Sequence, residues 1–328
     1  MIVVTGGAGF IGSNLLARLE ALGHRELVVV DRLREGDKWR NIAARELEDV
    51  IRPEDLFPFL EGNADRIEAI FHMGAISATT ERDADKIVAN NLRLSIDLWE
   101  WCAKRGVRLI YASSAATYGD GTLGFDDDGS LDALAKLRPL NAYGWSKHAF
   151  DRRVARHVAA GKPTPPQWAG LKFFNVYGPG EGHKGDMKSV VAKTYPLAAA
   201  DEEAVLFRSH RPDFEDGGQS RDFVWVGDCV SIMVWLLGAP EVSGLYNCGS
   251  GAARSFSDLV RATFAALGKE PKVRFVDTPV EIREKYQYFT EASMSRLRAA
   301  GYAEPGTSLE DGIRTYVTEF LHTEDPYP

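Results

Sequence analysis

At the start of the chain the pattern of apolar and polar residues changes from a continuous apolar run to the spacing of a helix, and then back to an apolar run. Residues 1–5 form an unbroken apolar run, a glycine-rich stretch follows, and residues 13–22 carry apolar side chains at helical spacing. A second apolar run at 26–30 ends at Asp31. The pattern predicts a strand, a tight turn, a helix and a second strand that is buried on both faces.

This alternation continues to about residue 174. Strand patterns lie at 49–51, 67–72, 107–112 and 168–174, and helical patterns start near 53–55, cover about 85–104 and follow residue 139. Strands that alternate with helices favour βαβ units with parallel strands. We therefore expect an α/β protein with a Rossmann-type, doubly wound parallel sheet.

Beyond residue 174 the elements become shorter and mixed. Strand patterns lie at 205–207, 222–226, 244–247 and 272–276, after a predicted turn at 175–179, and helices are expected from about 189 and over 308–321. We expect residues 1–174 to form a dinucleotide-binding domain, joined by segments near 225–250 and 287–311. Residues 175–328 are expected to form mainly a smaller mixed α/β substrate lobe, with a solvated acidic loop at 126–128 in the first domain.

The glycine-rich turn carries the first candidate chemistry. Gly6, Gly9 and Gly12 lie between the first strand and helix, and Asp31 follows the second strand. In this context glycines let the backbone approach a pyrophosphate, and the helix N-terminus supplies N–H donors. Asp31 suits a ribose hydroxyl, whereas the basic residues Arg32, Arg34 and Lys38 suit a 2′-phosphate. The stretch predicts a nicotinamide cofactor, with NADP favoured and NAD left open.

The stretch 141–147 carries a candidate proton-transfer pair. Tyr143 and Lys147 stand four residues apart, which places both on one helix face. An ammonium beside a phenol favours the phenolate, so we expect Lys147 to lower the pKa of Tyr143. Ser114 follows a predicted strand at the carboxyl edge of the sheet, where such folds place their chemistry. We expect these three residues to be catalytic.

Composition narrows the class of protein. The 328 residues are 45% hydrophobic and 26% charged, and no run reaches the roughly 18 apolar residues of a membrane helix. The net charge of −8 argues against a mainly electrostatic nucleic-acid partner. The three cysteines lack C-x-x-C spacing, so neither a metal site nor a disulfide framework is expected. We expect a soluble cytoplasmic protein with a small-molecule substrate and no membrane partner.

Several of these stretches together resemble the extended short-chain dehydrogenase/reductase family. They are residues 5–12, 113–114 with 118–119, 143 with 147, 174–179 and 221–228. The resemblance covers nearly the whole chain. It implies an enzyme that acts on a nucleotide sugar and keeps its nicotinamide cofactor bound and recycled.

A narrower set is similar to the ADP-glyceromanno-heptose 6-epimerase family. It comprises residues 71–72, 79–81, 111–119, 174–179, 181–185 and 298–302, among which the Glu-Gly-His-Lys-Gly stretch at 181–185 is the most telling. The resemblance implies inversion of C6 in ADP-D-glycero-D-manno-heptose to give the ADP-L-glycero-D-manno epimer. It also implies a role in lipopolysaccharide biosynthesis and a homo-oligomer, commonly a pentamer.

The resemblance further implies individual site residues. Further cofactor contacts are Phe10, Ile11, Arg52, Met73, Gly74, Ala75, Ser77, Asn90 and Val176. Substrate contacts are Ser114, Asn175, Asp186, Lys193, Phe207, Arg221 and Tyr286. Two of them depart from the family pattern, since Asp186 stands where Ser is frequent and Lys193 where a His can occur.

The chemistry of inversion suggests a second acid/base group. The C–H of a hydroxyl-bearing carbon is not acidic, so we expect oxidation to a ketone and reduction from the other face. One base on one face cannot easily serve both epimers. The resemblance implies that Lys184 is this second group, beside Tyr143.

Other functions remain as alternatives. A UDP-sugar 4-epimerase would share the fold, although such enzymes lack the stretch at 181–185. A 4,6-dehydratase is disfavoured because Ala115 and Ala116 stand where those enzymes carry an acid pair. A non-enzymatic nicotinamide-sensing regulator is a remote alternative, since such proteins typically lose the Tyr or the Lys.

Overall fold

A computed structural model describes residues 1–283 and 287–328. Its strands are β1 (Ile2–Thr5), β2 (Leu27–Val30), β3 (Asp49–Ile51), β4 (Ala69–His72), β5 (Arg108–Ser114), β6 (Trp168–Phe173), β7 (Asn175–Tyr177), β8 (Ala204–Phe207), β9 (Ser220–Trp225), β10 (Gly244–Cys248), β11 (Ala253–Ser255) and β12 (Val273–Val276). Its α-helices are α1 (Phe10–Ala21), α2 (Leu56–Gly62), α3 (Ala84–Ile87), α4 (Leu94–Arg105), α5 (Leu131–Lys136), α6 (Ala142–Ala159), α7 (Val190–Ala199), α8 (Val226–Gly238), α9 (Phe256–Ala265), α10 (Val280–Arg283), α11 (Ser295–Ala299) and α12 (Leu309–Tyr316). Short 3₁₀ segments cover Asp37–Ile42, Pro53–Asp55, Ala115–Tyr118 and Gly182–Met187.

A parallel sheet forms the centre of the described part of the chain. Its seven strands run in the order β10-β6-β5-β4-β1-β2-β3, and all neighbouring pairs are parallel. The order reverses between β1 and β4, so the connections that leave these strands diverge and open a crevice at their carboxyl ends. Thr5 and His72 lie side by side at that edge. The predicted doubly wound fold is confirmed.

The strands beside the crevice are covered on both faces. Every residue of β1, β2 and β4 is buried, which explains their continuous apolar sequences. Successive side chains point to opposite faces, so Val4 packs in one core with residues of α1 and α8. Val3 packs in the other core with residues of α4 and α6.

The part of the chain after β6 forms two small sheets and also returns to the large one. β7, β9 and β11 form a three-stranded sheet, and β8 pairs with β12. β10 joins the large sheet beside β6. Leu309 and Ile313 of α12 pack with Phe223 of β9 in a core of their own. In the described residues, no helix is both long and apolar enough to cross a membrane.

Some element boundaries differ from those predicted. Asn175–Tyr177, predicted as part of a turn, forms β7 because its backbone pairs in parallel with β9, a partner about 50 residues away that local pattern does not reveal. β5 extends to Ser114, beyond the predicted end at 112, since its last residues pair with β6. The single helix predicted over 85–104 is α3 and α4 joined by a π-helical segment, Val88–Arg93.

The acidic run at 126–128 is more than the solvated loop that its composition suggests. Asp127 is fully buried, and its Oδ2 accepts the backbone N–H of Asn247 at 2.7 Å. Arg296 lies 3.5 Å from its other oxygen. Burial raises the pKa of Asp127. The carboxylate therefore ties this loop to β10.

Candidate active site

The glycines after β1 allow two loops to meet at the crevice. Gly6 has a φ of +67°, and a Cβ there would lie 2.7 Å from the Cα of Gly74. A Cβ on Gly12 would collide with the carbonyl oxygen of Gly6. The N–H of Gly9 donates to that same carbonyl at 2.9 Å and closes the turn. Larger residues would therefore open the turn.

Helix α1 begins at Phe10, directly after this turn, with Gly9 as its N-cap. A glycine cap has no side chain to occupy the N–H groups of the first turn, and these groups together with the helix dipole favour an anion. Phe10, Ile11 and Gly12 border a cavity of about 320 Å³. The donors and the glycine cradle fit the pyrophosphate of a dinucleotide.

Two adjoining cavities of about 320 and 670 Å³ share Asp31, Gly74 and Lys184 in their walls and form one cleft. The predicted site residues that border the smaller cavity are Gly6, Gly9, Phe10, Ile11, Gly12, Asp31, Lys38, Met73, Gly74, Ala75, Ser77, Ser114, Tyr143, Lys147, Val176 and Lys184. Arg32 and Asn90 border the larger one. The cleft thus brings together the glycine turn, the catalytic candidates and part of the basic cluster.

Other predicted residues among those described lie outside the walls of both cavities. They are Arg52, Asn175, Asp186, Lys193, Phe207 and Arg221. Arg52 is exposed and pairs with Asp55 at 2.9 Å. The ammonium of Lys193 donates to the carbonyl of Asp186 at 2.6 Å. Tyr286 lies outside the described residues.

The N-terminus of α6 positions Tyr143 beside the end of β5. The side chain of Asn141 caps the helix by accepting the N–H of Gly144 at 2.8 Å. A Cβ on Gly144 would lie 2.7 Å from the carbonyl oxygen of Ala116, so glycine allows the helix to pack closely on the turn after Ser114. The side chains of Tyr143 and Ser114 both border the smaller cavity, and Ser114 lies close enough to act on the pKa of Tyr143. The predicted trio therefore converges.

Burial dominates the electrostatics of this trio. Burial raises the pKa of Tyr143, and the nearby hydroxyl of Ser114 has the opposite, smaller effect. Burial lowers the pKa of Lys147 to about 8, against the effect of the charge on Asp151. The expectation of a lowered Tyr143 pKa is wrong for this arrangement, because lost solvation of the phenolate is the larger effect. Tyr143 therefore holds its proton at neutral pH.

The acidic residue at the end of β2 pairs with one of the predicted cations, Lys38. Asp31 accepts the N–H of Ala8 at 3.0 Å and the ammonium of Lys38 at 2.5 Å. Arg32 pairs with Glu54 and reaches Oδ1 of Asn90 at 3.4 Å. A ribose at this end of the cleft would meet both a carboxylate and two cations.

Lys184 lies on the 3₁₀ segment Gly182–Met187, across the cleft from α6. Gly185, with a φ of +54°, turns the backbone directly after it. Burial lowers the pKa of Lys184, and the charge of Glu181 opposes this effect. The lowered pKa brings Lys184 closer to the range in which a lysine can exchange a proton with a substrate hydroxyl.

A buried asparagine behind the cleft is missing from the predicted site. Asn91 accepts the N–H of Ile76 at 2.8 Å, donates to its carbonyl at 3.0 Å and also contacts the hydroxyl of Ser146. It therefore fixes the loop 73–77 that borders both cavities. Asn90 and Asn91 are neighbours in the sequence, and the structure leaves Asn90 half-buried while it buries Asn91 completely.

Comparison with known proteins places the cleft in context. A model of the NAD dependent epimerase/dehydratase family matches residues 2–249. The chain is 48% identical over 330 residues to the ADP-L-glycero-D-manno-heptose-6-epimerase of Nitratidesulfovibrio vulgaris (strain DP4), and the similarity covers 100% of both chains.

Solved structures agree with this assignment. The ADP-L-glycero-D-manno-heptose-6-epimerase of Helicobacter pylori gives a TM-score of 0.82 at 30% identity, over 98% of this chain and 96% of that one. The UDP-glucose 4-epimerase of Thermus thermophilus, solved as a complex with NAD, gives 0.71 at 27% identity, over 95% and 96%. The resemblance found in the motifs is confirmed. The chain is an enzyme that belongs to the NAD dependent epimerase/dehydratase family.

Proposed function

We propose that this enzyme inverts C6 of the heptose in ADP-D-glycero-D-manno-heptose and forms ADP-L-glycero-D-manno-heptose. One observation carries the proposal. Tyr143 and Lys184 are both partly buried, both can donate or accept a proton, and both border the same cavity as the glycine turn. Full-length similarity to enzymes named for this epimerisation supports the choice of sugar.

The reaction needs the hydrogen on C6 to leave from one face and return to the other. A bound nicotinamide cofactor supplies this chemistry by taking up a hydride and giving it back. The C6 hydroxyl loses its proton to the protein as the ketone forms, and its oxygen regains a proton when the inverted carbinol forms.

Tyr143 and Lys184 serve as the two proton-transfer groups. One takes the hydroxyl proton in the first orientation of the sugar, and the other returns a proton after the keto group has turned to present its opposite face. Ser114 donates a hydrogen bond to the oxygen as its charge develops. Lys147 binds the nicotinamide ribose.

The cofactor is NADP in this proposal. The glycine turn with Phe10 and Ile11 holds the pyrophosphate, the loop 73–77 with Asn90 and Val176 borders the rest, and Arg32 and Lys38 bind the 2′-phosphate. NAD is the alternative, and the backbone-anchored carboxylate of Asp31 favours it because this group suits a free ribose hydroxyl. Arg52 pairs with Asp55 and would have to break this ion pair to contact the cofactor.

The remainder of the substrate lies between the 1–174 domain and the 175–328 lobe in this proposal. Its contacts are Asn175, Asp186, Lys193, Phe207, Arg221 and Tyr286. An arginine such as Arg221 suits a diphosphate. The proposal also includes a cytoplasmic homo-oligomer, a pentamer by resemblance, whose product serves lipopolysaccharide biosynthesis.

Incubation of the purified enzyme with ADP-D-glycero-D-manno-heptose tests the proposal, with anion-exchange chromatography and NMR to separate the epimers. We expect the L-glycero epimer to form without added cofactor, because bound cofactor is regenerated in each turnover. Turnover of UDP-galactose without turnover of the ADP-heptose would instead identify a UDP-sugar 4-epimerase.

A further inference from the structure

A buried ion pair lies behind the catalytic face of α6. Asp151 of α6 and Lys172 of β6 are 0% and 1% exposed, and the ammonium lies 2.9 Å from Oδ2 of the carboxylate. The carboxylate also accepts the hydroxyl of Ser113 at 2.7 Å and that of Tyr111 at 3.2 Å. The charge of Asp151 is therefore fully solvated by protein donors, which a buried carboxylate requires.

This pair is connected to both elements that carry the catalytic trio. Asp151 stands four residues after Lys147 and eight after Tyr143, and so lies on the same face of α6. On the strand side, its donor Ser113 directly precedes Ser114.

Lys172 reaches the same strand end by a second route. Its ammonium donates to Oγ1 of Thr117 at 2.7 Å, and the hydroxyl of Thr117 donates to the carbonyl of Ser114 at 2.8 Å. The two charged side chains thus hold the end of β5 from both sides.

The charge of Lys147 depends on this pair because the other groups around it are neutral. The titratable groups on the surrounding elements are Tyr143, His148 and Asp151 on α6, Tyr111 on β5, Tyr118 after β5, His72 on β4 and Lys172 on β6, with Lys184 across the cleft. Burial lowers the pKa of His72 to about 3 and that of His148 to about 4.

Burial also raises the pKa of the three tyrosines, so neither they nor the histidines carry charge at neutral pH. Of the described residues that lie behind Lys147, the charged ones are therefore Asp151 and Lys172. Asp151 favours the charged form of Lys147, whereas burial disfavours it.

We infer that Asp151 is a positioning residue that keeps Lys147 protonated and holds Ser114 beside Tyr143, and that Lys172 fixes the carboxylate in place. The inference rests on the proposed use of Lys147 at the cofactor. The protein would then keep its activity up to about pH 8 although Lys147 is buried.

The dependence of kcat on pH in charge variants tests this role. Asp151→Asn keeps the shape of the side chain but leaves the charge of Lys172 unopposed near Lys147. In wild type, kcat should fall with a midpoint near pH 8 as Lys147 loses its proton; this fall is the alkaline limb of the profile. We expect Asp151→Asn to move the limb about one pH unit lower, so that the share of plateau activity kept at pH 8 is roughly fivefold smaller than in wild type. The neutral double variant Asp151→Asn/Lys172→Met should move the limb by less, and Asp151→Glu should leave it near the wild-type position.

Arg152→Gln is the matched control, since Arg152 is the exposed neighbour on α6 and its loss should leave the limb in place. The inference would be overturned if the alkaline limb stayed at the wild-type pH in every variant and only the melting temperatures fell. If Asp151→Asn does not fold, the double variant still decides, because it leaves no unpaired buried charge. Wild-type enzyme without any epimerisation would contradict the proposed function, whereas normal wild-type turnover with unmoved limbs would contradict this inference alone.

Discussion

The ammonium of Lys184 lies 5.1 Å from the centre of the Phe10 ring, the first residue of α1. A cation over an aromatic face gains about 1 kcal/mol, which partly offsets the burial that lowers the pKa of this lysine. The contact joins the second proton-transfer candidate to the helix that begins directly after the glycine turn. Lys184 therefore lies beside the N-terminus of α1.

Loss of Lys184 should separate catalysis from cofactor binding. We expect Lys184→Ala to lower the rate of epimerisation by about 10²–10⁴-fold, the usual contribution of a general acid or base, while the cofactor stays bound. Turnover and the absorbance of bound cofactor measure the two effects. Lys162→Ala, at an exposed site, is the control. Near wild-type turnover in Lys184→Ala would exclude the two-group mechanism.

The close approach of α6 to the turn after β5 predicts a steric effect at Gly144. In Gly144→Ala the new Cβ would meet the Ala116 carbonyl oxygen at 2.7 Å, so Tyr143 should shift away from Ser114. We expect kcat to fall at least tenfold and stability to fall by about 1–3 kcal/mol. Gly62→Ala is the control, since a Cβ there meets open space. Unchanged turnover in Gly144→Ala would show that the close approach is unimportant.

A buried carboxylate anchors the segment that carries Lys184. Glu181 accepts the hydroxyl of Ser189 at 2.6 Å and that of Tyr316 of α12 at 3.1 Å, and it also accepts the N–H of Ser189. Removal of this charged acceptor leaves buried donors unpaired, so Glu181→Ala should lower the free energy of unfolding by about 2–4 kcal/mol, and Tyr316→Phe by about 1 kcal/mol.

Urea denaturation measures both losses, and the exposed Glu319→Ala should stay within about 0.5 kcal/mol of wild type. Equal stabilities of Glu181→Ala and Glu319→Ala would contradict the anchoring role.

His72 should make the fold sensitive to acid. It is fully buried between hydroxyls of Thr5 and Ser95, and burial lowers its pKa from 6.5 to about 3. Since the folded protein resists protonation and the unfolded chain does not, this stability is complete above about pH 6.5 and is lost as pH falls towards 3. The loss should reach about 2 kcal/mol near pH 5.

His72→Gln should remove about 2 kcal/mol of the fall in unfolding free energy between pH 6.5 and 5. Contributions of the same sign remain from His148 and His183, because burial lowers the pKa of each to about 4. His322→Gln, at an exposed position, serves as the control. An identical slope in His72→Gln and in wild type would show that another group causes the acid sensitivity.

The basic residues after β2 should decide between the two dinucleotides. If Arg32 and Lys38 bind a 2′-phosphate, replacing either by Ala should weaken NADP binding about tenfold or more and leave NAD binding nearly unchanged. Titration of cofactor-stripped enzyme measures both affinities, and Arg93→Ala, which removes an exposed arginine of the π-helical segment, is the control. Equal losses for NAD and NADP would argue against a phosphate site.

Local pattern was sufficient to predict the glycine turn and the Tyr143–Lys147 pair, which the structure places around one cavity. The glycine turn could be predicted because a strand–turn–helix unit requires glycines at these positions. The pairing of Tyr143 with Lys147 could be predicted because residues four apart lie on the same face of a helix. The pairing of Asp151 with Lys172 could not be predicted, since it depends on the alignment of β5 with β6 and on how α6 packs across them.

The electrostatics could not be predicted from sequence for a related reason. A tyrosine near a lysine suggests a lowered pKa, but burial determines the direction for Tyr143, and burial is a property of the folded chain. Likewise, the strand at Asn175–Tyr177 and the burial of Asp127 depend on partners far away in sequence.

Inversion of C6 by transient oxidation is tested most directly by converting ADP-D-glycero-D-manno-heptose in D₂O and examining the product by NMR and mass spectrometry. A hydride that passes to the bound cofactor and returns does not exchange with solvent. We therefore expect the L-glycero product to carry protium at C6. Deuterium at C6 would show that the hydrogen leaves as a proton, and would contradict inversion through a ketone at that carbon.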